Sequence, residues 1–442
     1  MKKNCCRLIC SVSLLALPLA AAAADVSVES STVLRIESRD IRGADKETLL
    51  PATQFLGLDV DKLADGNLSL HLYGWGRADL GDKSYNNESI DGSLTYGYLQ
   101  YRFKEANADV RAGRFFVREG IVNEQLDGVS ARSELPLGFG LSAFGGATVH
   151  TKKLFGESSD GKGDSIVGGR ANYRYKGLLE LGVSGLYEGE APILANYTNG
   201  NHRLLGGDVW FSPHKTFELM GHSSYNPETK GVAEHTYLLN IKPVQQLVLT
   251  GEFSERRSMS YFNSAAMFTS PQMSTYDPAE KSRTVGGRAS YDVTETIELS
   301  ADYKHYTREI GNADRYGANA GLSFLNNSVR SGIGYHYLRA GQRFAIAGNS
   351  GTASYHELRG YAMHDTKTYF AAVDLLGYFF NEKINNEKSA WEGTFSLGYH
   401  MTPHLALSGD ISYGRNPAFI EETKGLIRLT YNMTYDGKGG KK

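Results

Sequence analysis

From Leu68 to Leu80 the chain alternates without a break. Leu68, Leu70, Leu72, Gly74, Gly76, Ala78 and Leu80 share one face, and Ser69, His71, Tyr73, Trp75, Arg77 and Asp79 share the other. Period two is the side-chain period of a β-strand. The run is thirteen residues long. A soluble strand is typically about 5–6 residues, whereas about 9–11 tilted residues cross a bilayer. The same alternation returns at 167–175, 177–187 and 296–306. On each, charged or hydroxyl side chains oppose aliphatic and aromatic ones. In lipid no backbone edge can stay unpaired, so long strands of this kind must close into a barrel, with the apolar face outward and the polar face lining a wet lumen.

The connectors fit that reading. Short turns are expected near 105–109, 135–138, 176–177, 212–215, 243–245, 293–295, 326–328, 364–366 and 401–404. Long loops are expected near 81–92, 118–125, 150–163, 188–202, 226–231, 255–280, 308–313, 339–352, 381–387 and 414–421. Alternating short and long connections are the habit of outer-membrane barrels, with short turns on the periplasmic side. The fold class is therefore all-β, a single closed antiparallel transmembrane barrel of about 20 strands. The alternative is 22, if residues 25–67 supply a further pair. Otherwise that segment sits at the periplasmic mouth or inside the lumen as a plug. The barrel is expected over 68–435, with a polar tail at 436–442. An internal echo, Val-Gly-Gly-Arg-Ala at 167–171 and again at 285–289, suggests a duplication spanning an even number of strands.

Composition excludes the competing classes. No run of about 20 apolar residues occurs outside the N-terminus, so a helical membrane bundle is excluded. Aromatics reach 11%, which excludes a disordered chain. Tyrosines near strand ends (Tyr173, Tyr175, Tyr291, Tyr399, Tyr431 and Tyr435 among them) suit a girdle at headgroup level. A net charge of −2 is no footprint for nucleic acid. Residues 1–24 read as a signal peptide: Lys2, Lys3 and Arg7, then an apolar stretch, then Ala22-Ala23-Ala24. All three cysteines fall within it, leaving the remainder without a disulfide, thiolate ligand or cysteine nucleophile. The address is the outer membrane.

No nucleophile elbow, zinc-protease motif, Walker loop or EF-hand loop is present, and the twelve histidines are scattered. The chain is read as no enzyme, with no catalytic or metal site. It lacks a C-x-x-C-H motif and so attaches no haem of its own. The candidate functional residues are charged positions on polar faces: Arg77, Arg102, Arg170, Arg174, Glu180, Arg288, Glu298, Asp302 and Lys304. A lining of both signs lets neighbouring strands pair their charges and sets a field across the lumen that tunes ion selectivity. Leu299 is expected at mid-strand facing hydrocarbon, with Ser300 facing the lumen. About 20 strands spaced 4.8 Å apart at a tilt near 40° give a backbone diameter of roughly 40 Å, so something must fill the hole. The apolar loop 255–280 is one candidate.

The stretch Val110-Arg-Ala-Gly-Arg-Phe-Phe-Val-Arg-Glu-Gly120, followed by Leu126-Asp-Gly-Val-Ser-Ala-Arg132, resembles porin-like outer-membrane barrels of Gram-negative bacteria. With Pro51-Ala-Thr-Gln-Phe-Leu-Gly57 and Leu70-His-Leu-Tyr-Gly-Trp-Gly76, it looks like the barrel component of porin–cytochrome conduits. The resemblance covers about a quarter of the chain. It implies a non-catalytic sheath of outer-membrane lipid contact, with periplasmic and extracellular multihaem cytochromes as partners and haem held only by them. The residues themselves leave a general or substrate-specific porin open. The chain departs from the barrel pattern at its end, where Tyr435 is followed by a glycine- and lysine-rich tail.

Overall fold

The computed structural model describes residues 24–41, 46–81, 89–149, 165–189, 202–227, 230–257, 281–308, 311–340, 343–346, 349–352, 354–436 and 440–441. Residues 1–23, where a signal peptide is expected, and residues 258–280 of the expected loop 255–280 lie outside them. Twenty-two long strands run in chain order: β1 (Asp25–Ile41), β2 (Pro51–Leu63), β3 (Leu68–Asp79), β4 (Ile90–Phe103), β5 (Ala108–Glu119), β6 (Val122–Glu134), β7 (Phe139–Thr148), β8 (Ser165–Tyr175), β9 (Leu179–Gly189), β10 (His202–His214) and β11 (Phe217–Asn226). They continue as β12 (Gly231–Val244), β13 (Leu247–Arg257), β14 (Lys281–Thr294), β15 (Ile297–Arg308), β16 (Gly311–Phe324), β17 (Val329–Ala340), β18 (Tyr355–Asp365), β19 (Tyr369–Ile384), β20 (Glu387–Thr402), β21 (Leu405–Arg415) and β22 (Phe419–Asp436).

Each strand pairs antiparallel with the next, and β1 pairs with β22 from Val26↔Tyr435 to Ile41↔Phe419, closing the ring. The count is 22 rather than about 20. Residues 25–67 account for the difference: they form β1 and β2, which sit in the wall between β22 and β3. They are neither a plug nor a periplasmic cap, and the barrel begins at Asp25 rather than Leu68. The segment hides its character because its outward face carries Ser30 and Thr32 beside Val26, Val28, Leu34 and Ile36. In the tail, Gly440–Lys441 pairs back onto Tyr435–Asp436.

All ten connections on the side of the chain ends are two to four residues long. Several are set by left-handed residues, such as Asn326 and Asn327 (φ 56° and 65°). The opposite side is mixed. At five of its expected long loops the flanking strands end only two to four residues apart, leaving 120–121, 227–230, 309–310, 385–386 and 416–418 between them. At 385–386 two asparagines with φ of 49° and 67° make a two-residue turn of the primed kind favoured by hairpin twist. The echoing segments fall in β8 and β14, six strands apart, with the same up-down sense.

The two faces differ as a membrane barrel requires. Leu181, Val183, Ile333, Leu375, Phe395 and Ile427 point outward and are exposed. Outward Phe139, Tyr175, Tyr291, Phe324, Tyr369, Tyr399 and Tyr431 cluster beside the short turns, and Trp391 and Tyr413 pair further up. Tyr399 and Trp391 are eight residues apart on β20, about 26 Å of strand and about 20 Å along the membrane normal at a tilt near 40°. Leu299 does face outward (46% exposed), and Ser300 is on the inner face. Leu299, however, is the third residue of β15, opposite Tyr291, so it lies near the interface and not at mid-strand. The mid-band outward residue is Phe395, between Tyr399 and Trp391.

Candidate functional site in the lumen

The wall is not continuous with its own hairpin β5–β6. β5 pairs with β4 only from Ala108↔Phe103 to Arg114↔Gly97, while β5 and β6 pair with each other all the way to Glu119↔Val122. β6 in turn leaves β7 beyond Leu126↔Thr148. The upper half of the hairpin, 115–125, therefore departs from the wall. It folds inward: the Ile121 backbone N–H donates to Ser184 Oγ on β9 at 3.2 Å, Glu119 bonds Ser142 on β7, and Gly120 sits against Ser184 and Asp208.

The local sequence explains the bend. Gly113 and Gly128 are directly opposite. Gly113 has φ of +129°, and a Cβ there would collide with the Gly97 carbonyl oxygen; one on Gly128 would collide with that of Gly145. Only glycine allows backbones this close and this twisted. Next to them Arg114 and Asp127, also opposite, form a bidentate ion pair with both bonds at 2.7 Å. Arg114 donates to Leu94 O (3.1 Å) and Gln125 to Thr95 O (2.5 Å). Two carbonyls on the β4 edge that the hairpin abandoned are thereby satisfied, as buried or lipid-facing backbone groups must be. The Gly-Arg and Asp-Gly pairs that carry the sequence resemblance are thus the two sides of one hinge.

What holds the hairpin inside is apolar. Phe115 (1% exposed), Val117, Val122 and Leu126 (0%) pack on inward Phe144, Ile166, Leu186, Leu204 and Ala233 of β7, β8, β9, β10 and β12. These wall residues are in phase with polar inner-face positions such as Ser142, Arg170, Ser184 and Asp208. Apolar residues at the upper ends of the polar face, on four successive strands, were the available signal, and residue-by-residue reading of charges passes over it.

Beside the hairpin lies a cavity of about 890 Å³ lined by Tyr96, Tyr98, Arg111, Arg132, Arg170 and Arg174 among others. Of the candidate residues, three meet there. Arg170 bonds Asp208 (2.5 and 3.0 Å) and Glu180 (2.9 Å), and Arg174 holds the other oxygen of Glu180 (2.9 Å). Four others lie on β14 and β15 without forming one group. Arg288 bonds Ser290 and Ser300 and reaches Glu298 only at 4.0 Å. Asp302 takes Arg315 (3.0 Å) and His336 (2.8 Å). Lys304 pairs with Glu252 (2.6 Å). Arg77 stands apart near Asp91 (3.6 Å) and Asp79 (4.0 Å), and Arg102 is exposed beside the β4–β5 turn. Arg111, Arg132, Arg315, His336 and Glu357 share the inner face but were not singled out from sequence. Their alternation is no different from that of the residues chosen, and only the register between distant strands brings them together. Among the described residues no group of three or more acidic, histidine or cysteine side chains is arranged to hold a metal ion.

No family model matches the chain, and no curated protein matches it. Solved structures do. The ferric enterobactin receptor PfeA of Pseudomonas aeruginosa superposes with a TM-score of 0.53 at 9% identity, over 92% of this chain and 80% of that one. Its enterobactin-bound form gives 0.54 at 11%, over 91% and 81%. OccAB4 of Acinetobacter baumannii matches over 94% of this chain and all of its own, at a TM-score of 0.47 and 9% identity. At these identities the likeness to the receptor is one of fold: a large outer-membrane-type β-barrel. The resemblance to porin–cytochrome conduits gains nothing from these structures and rests on the sequence motifs alone.

Proposed function

We propose that the protein is an outer-membrane channel for small polar solutes, non-catalytic, whose lumen is narrowed by its own hairpin. The observation that carries this reading is the inward fold of 115–125. A 22-strand ring spans roughly 44 Å between backbones on the spacing and tilt used above, and barrels of this size are plugged. Here a part of the wall does the narrowing, and it leaves beside it a cavity whose lining carries both charge signs. Paired charges such as Arg170 with Glu180 and Asp208 fix the side chains in place and give the passage a transverse field that favours polar solutes over apolar ones. The exposed apolar band outside supplies the lipid contact. A sheath for a multihaem cytochrome would instead need the lumen clear for a second protein.

Reconstitution of the purified full-length barrel in planar bilayers tests the reading. A steady ion conductance without any partner is expected, together with no haem absorbance in the sample. A barrel that purifies with a haem protein, and conducts only when that protein is removed, would overturn the channel reading in favour of the sheath.

A further inference from the structure

The inner face of β2 to β5 carries a row of rings that the channel reading does not use. Phe55, Tyr73, Tyr96, Tyr98 and Phe115 follow one another across four strands, with successive centroids 6.5, 5.6, 6.0 and 6.1 Å apart. The first two interplanar angles are only 26° and 19°. Trp75 lies opposite Phe55 in register. Tyr73 lies close over Gly57, where a Cβ would stand 3.0 Å from its ring. Glycine there lets the ring lie against the wall, so that its other side is turned to the lumen. All the rings but Phe115 are half-buried; Phe115 is sealed between the hairpin that carries it and the wall, and Tyr96 and Tyr98 line the cavity.

Around this row stand hydrogen-bonding groups of both signs. Glu29 is exposed next to Gly57. Asp59 holds His71 at 2.6 Å, and His71 stacks on Tyr98 at 4.9 Å. Arg111 lies over Tyr98 at 5.8 Å and reaches Asp109 only at 3.7 Å; its Nε has no hydrogen-bond partner among the described residues. Aromatic planes bind flat, weakly polar faces. Carboxylates, an imidazole and a guanidinium beside them donate to and accept from hydroxyl groups. The mixed charges create no demand for a net charge on the ligand: a ring carboxylate would find Arg111 but would also meet Glu29 and Asp59.

We infer that this row is a binding subsite for neutral sugar rings, along which an oligosaccharide slides toward the cavity. The inference rests on the channel reading and names the substrate class of the same lumen. Pyranose rings present C–H faces to the aromatic planes, and their hydroxyls take up Glu29, Asp59, His71 and Arg111.

The test uses the full-length barrel in planar bilayers, with maltotriose and cellotriose as probes and benzoate as the charged-ring comparison. At least one trisaccharide should block the ion current reversibly and in proportion to its occupancy, and benzoate should do so far less. Phe55→Ala and Tyr73→Ala, neither of which lines the cavity, should each weaken the block roughly three- to tenfold while leaving the sugar-free conductance intact. That intact conductance also shows that the variants are folded. In parallel, trisaccharide binding should change the fluorescence of Trp75, read as the part of the signal lost in Trp75→Phe. A channel that conducts but is blocked by neither trisaccharide, or by benzoate more strongly, overturns the subsite and leaves the channel standing. A barrel that does not conduct yet shows the Trp75 response keeps the subsite and loses the channel. Variants that bind sugar as well as the wild type overturn the role of the rings.

Discussion

Leu126→Ala should loosen the hairpin without dissolving the barrel. Leu126 is completely buried, between the hairpin and the inner wall, in contact with the cluster of Phe115, Phe144 and Leu186. It lies just where β6 leaves β7, so the wall pairing from Asp127 onward does not depend on it. Truncating a fully buried leucine costs about 2–5 kcal/mol, the higher values applying where the cavity cannot collapse. A rigid wall on one side makes collapse poor, which argues for the upper half of that range. The cost falls on one equilibrium, docked against undocked hairpin, and each 1.4 kcal/mol there is about a factor of ten, so the undocked fraction should rise by roughly three orders of magnitude. A thiol introduced into the hairpin reports it, because the chain has no other cysteine after Cys10. In an Ile121→Cys background, maleimide labelling should be slow and should accelerate by about that factor when Leu126→Ala is added. Single-channel records should show new excursions to a larger conductance. Unchanged labelling and unchanged conductance, in a barrel that still folds, would refute the claim that this apolar cluster holds the hairpin in the lumen.

Other consequences are equally open to measurement. Phe395→Arg, at the middle of the outward band, should lower folding stability in lipid vesicles by about 2–4 kcal/mol. Ser396→Arg, one residue away on the inner face and directly opposite Asp410, should fold nearly as well as the wild type; equal losses would reverse the face assignment. Gly113→Ala and Gly128→Ala should each disturb the hinge, since both introduce a collision with backbone. Labelling at Ile121→Cys should rise in both, whereas Gly76→Ala, where a Cβ meets nothing within 4 Å, should leave it unchanged. Arg170→Ala removes the partner shared by Glu180 and Asp208 and leaves an excess of negative charge beside the cavity, so the reversal potential in a potassium chloride gradient should move toward cation selectivity.

Much of the barrel is written in the chain as strict alternation, and this is why β3, β8, β9 and β15 can be read directly. Lipid outside and water inside force opposite residue types onto successive positions, so the signal survives even without any soluble core. It weakens where the outer face tolerates hydroxyls, as at Ser30 and Thr32 of β1, and the count of strands suffers accordingly. Loop length is less legible. Asn385-Asn386 resembles the polar stretch around it, and only the positive φ at both shows a two-residue turn. The hairpin is the hardest part. Phe115, Val117 and Leu126 look like lipid-facing residues by type but stand in phase with the inward Arg111, Ser130 and Arg132. Reading phase before residue type would have marked them. The charged groups of the lumen divide in the same way. Arg174 and Glu180 flank one short turn and are neighbours by sequence, whereas Arg170–Asp208 and Asp302–His336 depend on register across several strands, which no local pattern encodes.

The most direct test of the central claim is a cross-link. Ile121 and Ser184 are 63 residues apart and meet only because the hairpin turns into the lumen. Oxidation of the Ile121→Cys/Ser184→Cys barrel, whose natural sequence has no cysteine after Cys10, should form a disulfide between 121 and 184 almost completely and leave the conductance close to its reduced value, because the bond fixes a position the hairpin already holds. Failure of the disulfide to form, or a large fall in conductance when it does, would mean that residues 115–125 do not lie in the lumen of the working protein.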